Sequence, residues 1–347
     1  MDTTSLSLKK RWNERKADNP KLRSRQGASE LGVSEAELLA AHCDGEQTIR
    51  LQGPWADLIN QLESLGYVMA LTRNDQAVHE TKGRYKNVNF KDHAGVVLGE
   101  NIDLRIFQKH WEFGFAAPVE NPRKTLRSLQ FFDSRGVAIH KVYMMNEEHL
   151  DNYDQLIEDF RHPDQSPSLS VTPIPDSNNR KKDDEVDVNA LLDMWSNLQS
   201  THDFYPMLRD HNVARLHAIR LGEGKFTRKV ANNSTQKLLH LAAEREVPIM
   251  VFVGSRGVVQ IHSGVIENVK TMKNWLNILD PEFNLHLRED KIAASWVVQK
   301  PSEDGIITSL ELFDEDDNLM ANFFGKRKMG VGMTELESWR NILNELD

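Results

Sequence analysis

The side chains best placed to do chemistry are one histidine, one arginine and a scatter of basic residues in the second half of the chain. From Val188 to Gln199, apolar residues recur at helical spacing, with Val188, Leu191, Leu192, Trp195 and Leu198 on one stripe. If that helix continues, His202 falls four residues past Leu198 on the same stripe, and Tyr205 follows three further on. An imidazole there is either a hydrogen-bonded core group or a ligand aimed into an apolar pocket. Spacing alone favours the first, because buried polar groups are usually just satisfied. Arg105 lies in Ile102-Asp103-Leu104-Arg105-Ile106-Phe107, which alternates as a strand does, with Asp103 and Arg105 on one face and Leu104 and Ile106 on the other. Taken alone it reads as a surface arginine on a solvated face. Arg209, Arg215, Lys300, Lys326 and Arg327 make the third signal. An acidic protein that holds an anionic small molecule needs such a local positive cluster, although scattered solvated charge is the ordinary expectation.

These residues need elements to hold them. Tyr67–Thr72, Val247–Val253, Val258–Ile266, Ile292–Val298 and Ile306–Phe313 are short and rich in β-branched or aromatic residues. Gly-Ser-Arg-Gly at 254–257, Ser-Glu-Asp-Gly at 302–305 and Asp-Ser-Arg-Gly at 133–136 separate strands too closely for crossover helices, so antiparallel sheets are expected. Helical patterns flank them at Glu30–Ala41, Trp55–Leu65, Val188–Gln199, Thr235–Arg245 and Glu335–Leu346. The halves read as copies. A gapless shift of 181 positions places Met69 on Met250, Val78 on Val259, Gly83 on Gly264, Leu104 on Leu285, Ser128-Leu129 on Ser309-Leu310 and Phe132-Asp133 on Phe313-Asp314. It places Arg105 on His286, so the copies differ where a ligand-facing group could sit. The class is α+β, a tandem duplication of a unit with a large antiparallel sheet flanked by helices. The expected domains are 1–162 and 188–347. A proline-rich, then densely charged, stretch at 163–187 links them.

Composition narrows the function. The 347 residues carry a formal net charge of −9, which argues against a phosphate-neutralising nucleic-acid surface and against adsorption to anionic membranes. Cys43 is the sole cysteine, so an intramolecular disulfide framework and any CxxC site are ruled out. The N-terminus lacks an apolar h-region, and no apolar run approaches the roughly 18 residues of a membrane span, so a cytoplasmic protein without membrane insertion is expected. HExxH, GxSxG, P-loop and CxxCH motifs are absent. Among the 13 histidines, none pairs with a carboxylate at metal-ligand spacing on one evident helix face, and His79 and His140 read as structural or surface groups.

Several longer stretches carry a resemblance. RNDQAVHE at 73–80, HAGVVLGENIDLRIF at 93–107, QFFDSRGVAIHKVY at 130–143, IMVFVGSRGVVQIHSGV at 249–265, MKNWLNILDPEFNLHL at 272–287 and WVVQKPSEDGIITSLELF at 296–313 follow in order. Together they resemble the cytoplasmic haemin-transport or haemin-degrading factors (HemS/HmuS-type) of bacterial haem-uptake systems, which are built from two similar halves. The resemblance implies haem b (iron protoporphyrin IX) as ligand or substrate. It implies His202, in THDFYPMLRDHNVAR, as the proximal iron ligand, and Arg105 on the distal side as the catalytic candidate, stabilising a water, peroxide or propionate. Arg215, Lys300 and Arg327 fall on propionate- and pocket-lining positions, with Phe107 and Phe252 as apolar walls. Asn322 and Phe324 depart from the glutamine and tyrosine that relatives commonly carry. The physics is compatible, since haem needs an apolar slot, an imidazole from a rigid element and cations at its carboxylate edge. Two roles follow. One is a carrier taking haem from an inner-membrane importer to a downstream acceptor. The other is an enzyme, haem oxygenase-like or fed by a reductase, that opens the ring and frees iron; no nucleic acid is expected as partner, and a ligand-free duplicated scaffold is the bland alternative.

Overall fold

The computed structural model describes residues 3–92, 94–120, 125–173, 185–327 and 334–347. The chain forms two compact units. One comprises Met1–Arg73, Glu80–Pro175 and Gly254–Gln260; the other comprises Asn74–His79, Asp176–Val253 and Ile261–Asp347. The elements of the first half are α1 (Thr3–Asp18), α2 (Ser24–Leu31), α3 (Glu35–Ala40), β1 (Ile49–Leu51), α4 (Trp55–Gln61), β2 (Val68–Arg73), β3 (Ala77–Gly83), β4 (Asn89–Lys91), β5 (Ala94–Leu98), β6 (Asp103–Phe107), β7 (Phe113–Glu120), β8 (Thr125–Phe132), β9 (Ala138–Met144) and α5 (Leu150–Asp159). Those of the second are α6 (Val188–Ser196), α7 (Phe204–Asp210), α8 (Arg215–Leu221), β10 (Thr227–Val230), α9 (Ser234–Glu244), β11 (Ile249–Gly254), β12 (Val258–Gly264), β13 (Val269–Met272), β14 (Trp275–Leu279), β15 (Phe283–Arg288), β16 (Ala294–Ser302), β17 (Gly305–Phe313), β18 (Leu319–Gly325) and α10 (Glu337–Asn344).

In the first unit five strands pair antiparallel in the order β1-β7-β8-β9-β2, and β4-β5-β6 form a meander. The second repeats both arrangements, as β10-β16-β17-β18-β11 and β13-β14-β15. The shift of 181 carries the bounds of β2, β3, β5 and β9 onto those of β11, β12, β14 and β18. It carries the Ser128↔Tyr143 pair onto Ser309↔Phe324, and the irregularity at Phe131/Phe132 onto Leu312/Phe313. A one-residue slip would turn every side chain to the opposite face, so this agreement preserves which residues point inward. Duplicated antiparallel α+β architecture is what the structure shows.

Each five-stranded sheet is covered by helices on both faces. In the first unit, Leu129, Phe131 and Val142 pack with Leu58 and Ile59 of α4 and Leu156 and Ile157 of α5. Ala36 and Ala40 of α3 pack with Phe115 and Phe132. In the second, Leu310, Leu312 and Phe323 pack with Leu238 and Leu239 of α9 and Trp339 and Ile342 of α10, while Trp296, Val298 and Phe313 pack with residues of α6–α8.

The helices depart from expectation at local signals. The pattern at Glu30–Ala41 is two helices, because Gly32 takes a left-handed φ of 71° and Ser34 opens a capping box with Glu37 that starts α3 afresh. Trp55–Leu65 is α4 followed by a 3-10 turn at Leu62–Leu65. The Val188 helix, capped by Asp187 Oδ1 on Ala190 N at 3.0 Å, stops at Ser196. Past His162 the chain runs along β1. Arg50 donates to Ser166 O at 2.9 Å and to Ser168 O, and it pairs with Asp164 at 3.3 Å. The Gln165 amide accepts from Arg50 N and donates to Arg50 O, both at 2.9 Å. Residues 174–184 of the linking stretch, and His93 at the head of the 93–107 motif, lie outside the described residues.

Candidate functional site

The second unit gathers the predicted cations around a carboxylate. Directly opposed residues on neighbouring strands share a face, so two rows cross four strands of its sheet. One runs Trp296, Glu311, Asn322, Phe252; the other runs Val298, Ser309, Phe324, Met250. Lys300, two residues on from Val298, lies on the same face. Its Nζ donates to Glu311 Oε1 at 2.6 Å. Arg215, at the start of α8, grips Glu311 with both prongs, Nε to Oε2 at 2.7 Å and Nη2 to Oε1 at 2.8 Å, and Ser309 Oγ adds a bond at 3.1 Å. Phe204 of α7 lies beneath both cations, 5.2 Å from the Arg215 guanidinium and 4.7 Å from Lys300 Nζ.

Burial alone would raise the Glu311 carboxyl, but two adjacent cations outweigh it and hold it well below the carboxylate range. Burial, with Arg215 adding to it, pulls Lys300 down to about 8 against the opposing pull of Glu311. Two cations on one carboxylate leave one formal positive charge. The face then continues into half-buried Phe252 and Phe324, whose rings meet edge-on at 5.0 Å. Asn322 Oδ1, Trp296 Nε1 and Arg327 Nε are buried without partners among the described residues. Arg327 follows β18 at a half-buried position, so it belongs to this end of the sheet without joining the Glu311 cluster.

His202 departs from the expected stripe. The helix ends six residues earlier, and Ser200 and Asp203 form a capping box around a new 3-10 turn, Thr201–Asp203, on which His202 is exposed. The expected wall of Leu198 and Trp195 is buried without it. The turn is nonetheless fixed to the strand that carries Lys300. Glu303 N donates to Gln199 O at 2.9 Å, and Trp195 Nε1 donates to Gln299 O at 2.9 Å. Phe204, two residues on, is the ring beneath the cations. Of the other basic residues, Arg209 is solvated beside Asp210 and Lys326 is exposed.

Arg105 and Phe107 belong to the first unit. The strand alternation holds, with Leu104 and Ile106 buried and Asp103, Arg105 and Phe107 on the partly exposed face. Arg105 pairs with Asp103 and donates to Leu104 O at 3.1 Å, and its side chain is 35% exposed. Burial raises the Asp103 carboxyl, with Arg105 opposing. His79 and His140 are interior rather than surface groups. Sequence reasoning missed Glu311, Ser309 and Phe204. A signal for Glu311 was there, since it shares the inward parity of Phe313 in Ile306–Phe313 and a core-facing carboxylate demands a facing cation.

Twin antiparallel units, one presenting a net-positive cluster beside half-buried aromatic rings and, on a separate turn, an exposed imidazole, define a duplicated α+β protein. The chain belongs to the family described as the haemin-degrading HemS.ChuX domain, which matches it twice, over residues 32–160 and 212–346. It is 37% identical over 343 residues to the hemin transport protein HmuS of Yersinia pestis, covering 99% of this chain and 98% of the relative. It superposes with a TM-score of 0.95 and 40% identity on holo-PhuS, a heme-binding protein from Pseudomonas aeruginosa, over 99% of each chain. With ChuS, an E. coli heme oxygenase, the TM-score is 0.88 at 34% identity, over 98% of this chain and 99% of that one.

Proposed function

We propose that this protein binds haem in the cytoplasm, accepting it from an inner-membrane importer and either passing it to a downstream acceptor or degrading it to release iron. The observation that carries the reading is the Arg215–Glu311–Lys300 cluster. Its uncompensated positive charge suits a propionate carboxylate, and Phe252 and Phe324 continue the same face as a wall for the ring. Arg327 offers an unpaired guanidinium N–H to the second carboxylate. Asn322, with its unpartnered Oδ1, stands where the resemblance expects a longer amide. His202 is assigned the proximal role. Its exposure leaves the imidazole free to ligate, while the bond from Glu303 to Gln199 keeps its turn in place. Among the described residues no helix is long and apolar enough to cross a membrane.

Degradation as the primary role is favoured by one feature, the half-exposed guanidinium of Arg105. As a permanent donor it would stabilise negative charge on the distal side. Titration of the full chain with haem should give a saturable Soret band, shifted or weakened in His202→Ala. An unchanged band and affinity in that variant would overturn the proximal assignment. With an electron donor and catalase present, loss of the Soret band with a defined tetrapyrrole product marks the enzyme, and intact haem marks the carrier. Arg105→Ala should impair turnover more than equilibrium binding; equal losses would refute a distal stabiliser.

A further inference from the structure

The core of the first unit contains a hydrogen-bonded chain that haem handling does not use. Tyr85 is fully buried, and its hydroxyl lies 2.6 Å from Nε2 of His140, which is 2% exposed. His140 Nδ1 lies 2.8 Å from Thr72 Oγ1. The phenol has one proton to give, so it donates to Nε2, and the ring proton sits on Nδ1 and donates to Thr72. Aromatic rings lead away from the pair. Trp111 is 6.2 Å from His140 and 4.7 Å from Phe131, and Phe131 is 5.7 Å from the half-buried Trp55.

The duplication supplies an internal control. The shift of 181 places Thr72 on Val253, Tyr85 on Ile266, Trp111 on Ile292, Phe131 on Leu312 and His140 on Ala321. All five counterparts are buried aliphatic residues. The second unit therefore packs with no polar or aromatic group at these positions, and packing alone does not call for the chain in the first unit. Replacing buried polar groups by well-packed apolar ones is commonly neutral or stabilising.

We propose that Tyr85 and His140 form a redox-active couple, in which Tyr85 yields one electron to a high-potential metal-complex oxidant of the ruthenium(III) polypyridyl class while its phenolic proton passes to Nε2 of His140. The O–H bond breaks, an N–H bond forms, the oxidant is reduced by one electron, and a neutral tyrosyl radical is left beside an imidazolium. One electron from a one-electron donor of the ascorbate class reduces the radical and returns the proton along the same 2.6 Å bond. Burial pushes the phenol pKa up, so Tyr85 does not ionise in advance and needs an adjacent base. Burial also pulls His140 down to about 3, which keeps Nε2 unprotonated and open to the proton at neutral pH. Tyr153, by contrast, donates to the carbonyl of Ser128 at 3.1 Å, a far weaker proton acceptor. Trp55 and Trp111, joined by the bond from Trp55 Nε1 to Trp111 O at 2.9 Å, provide the route inward, since an indole can carry the hole and the phenyl ring of Phe131 cannot.

The test uses the haem-free full chain carrying Tyr205→Phe, which removes the most exposed phenol. Flash-generated ruthenium(III) tris-bipyridine is the oxidant, and freeze-trapped samples are read by electron paramagnetic resonance. The expected signal is a neutral tyrosyl radical, lost when Tyr85→Phe is added. His140→Gln keeps a hydrogen-bonding side chain but removes the base, and should replace the tyrosyl signal by a tryptophan radical. Undiminished tyrosyl signal in either variant overturns the couple. If both variants misfold, high-field spectra of the Tyr205→Phe protein alone decide. A g-tensor shifted by a hydrogen bond from a charged donor supports the couple, and a tryptophan radical or an unshifted g-tensor overturns it.

Discussion

Glu311→Gln isolates the charge balance of the cluster. The amide keeps the shape but removes the only anion that, among the described residues, pairs with Arg215 and Lys300. Lys300, with a side chain 3% exposed, already sits at about 8; without Glu311 it falls further and deprotonates at neutral pH. A tenfold loss in its proton affinity costs about 1.4 kcal/mol. Arg215 cannot deprotonate; one of its two bonds now faces an NH2 donor and is lost, and the other is kept only to a neutral carbonyl. With 24% of its side chain exposed, solvent recovers part of them, leaving a loss of about 2 kcal/mol. The total of about 3–4 kcal/mol falls within the range for breaking a buried pair from one side. Urea unfolding followed by tryptophan fluorescence should therefore show a midpoint lower by about 2 M for a slope near 2 kcal/mol/M. The pH dependence has a definite sign. A lysine whose folded pKa is lowered carries a penalty that is present at neutral pH and removed as pH rises toward its unfolded value of 10.5. The variant has the larger penalty, so its deficit should shrink by about 1.4 kcal/mol between pH 7 and pH 10.5. A deficit below about 1 kcal/mol at pH 7 would show that the cations are effectively solvated, and the electrostatic reasoning would fail.

Acid should destabilise the protein in two stages. His140 and His79 are held neutral by burial, His140 at about 3 and His79 well below its ordinary value, so the unfolded chain takes up protons first as pH falls below 6.5. Glu35, held at about 2 by Lys141 and Arg73 against its burial, and Glu311 contribute stability that is complete above 4.5 and drains away below it. Urea midpoints across pH 7 to 4 should show both slopes, and His140→Ala should flatten the first. Arg50→Met should loosen residues 162–168 from β1, read as faster amide exchange there with little change in α4 or α5. Ser309→Ala, which loses one bond at 3.1 Å, should cost no more than about 1 kcal/mol and leave the Soret titration unaltered.

The strands and the duplication were legible because period-two alternation and a gapless shift both follow from sheet register, which permits no slip. Helix bounds were less so. Gly32 and Ser34 are each common residues, and only together do they end one helix and begin another. In α7, Pro206 sits in the first turn, where its missing N–H costs nothing, yet a proline in sequence reads as a breaker. Arg105 was placed correctly because its strand alternates cleanly. His202 was misplaced because the stripe was extended past Ser196, where the Asn197 cap and the Ser200–Asp203 box redirect the chain. Lys300 and Arg215 meet through Glu311, a contact between residues 96 apart in sequence on the arginine side and therefore invisible to local pattern.

The side chain of Gln165 imitates a strand. By accepting from Arg50 N and donating to Arg50 O, it shares with His162 N, which also donates to Arg50 O at 2.9 Å, the hydrogen-bonding groups at the margin of a five-stranded sheet. An open margin is a template for any passing extended peptide, including another molecule of the same protein. The stretch that follows α5, through that amide and the backbone of His162, closes this margin to such pairing. Its loss would be expected to surface as clumping during folding before it surfaced as lost affinity for any ligand.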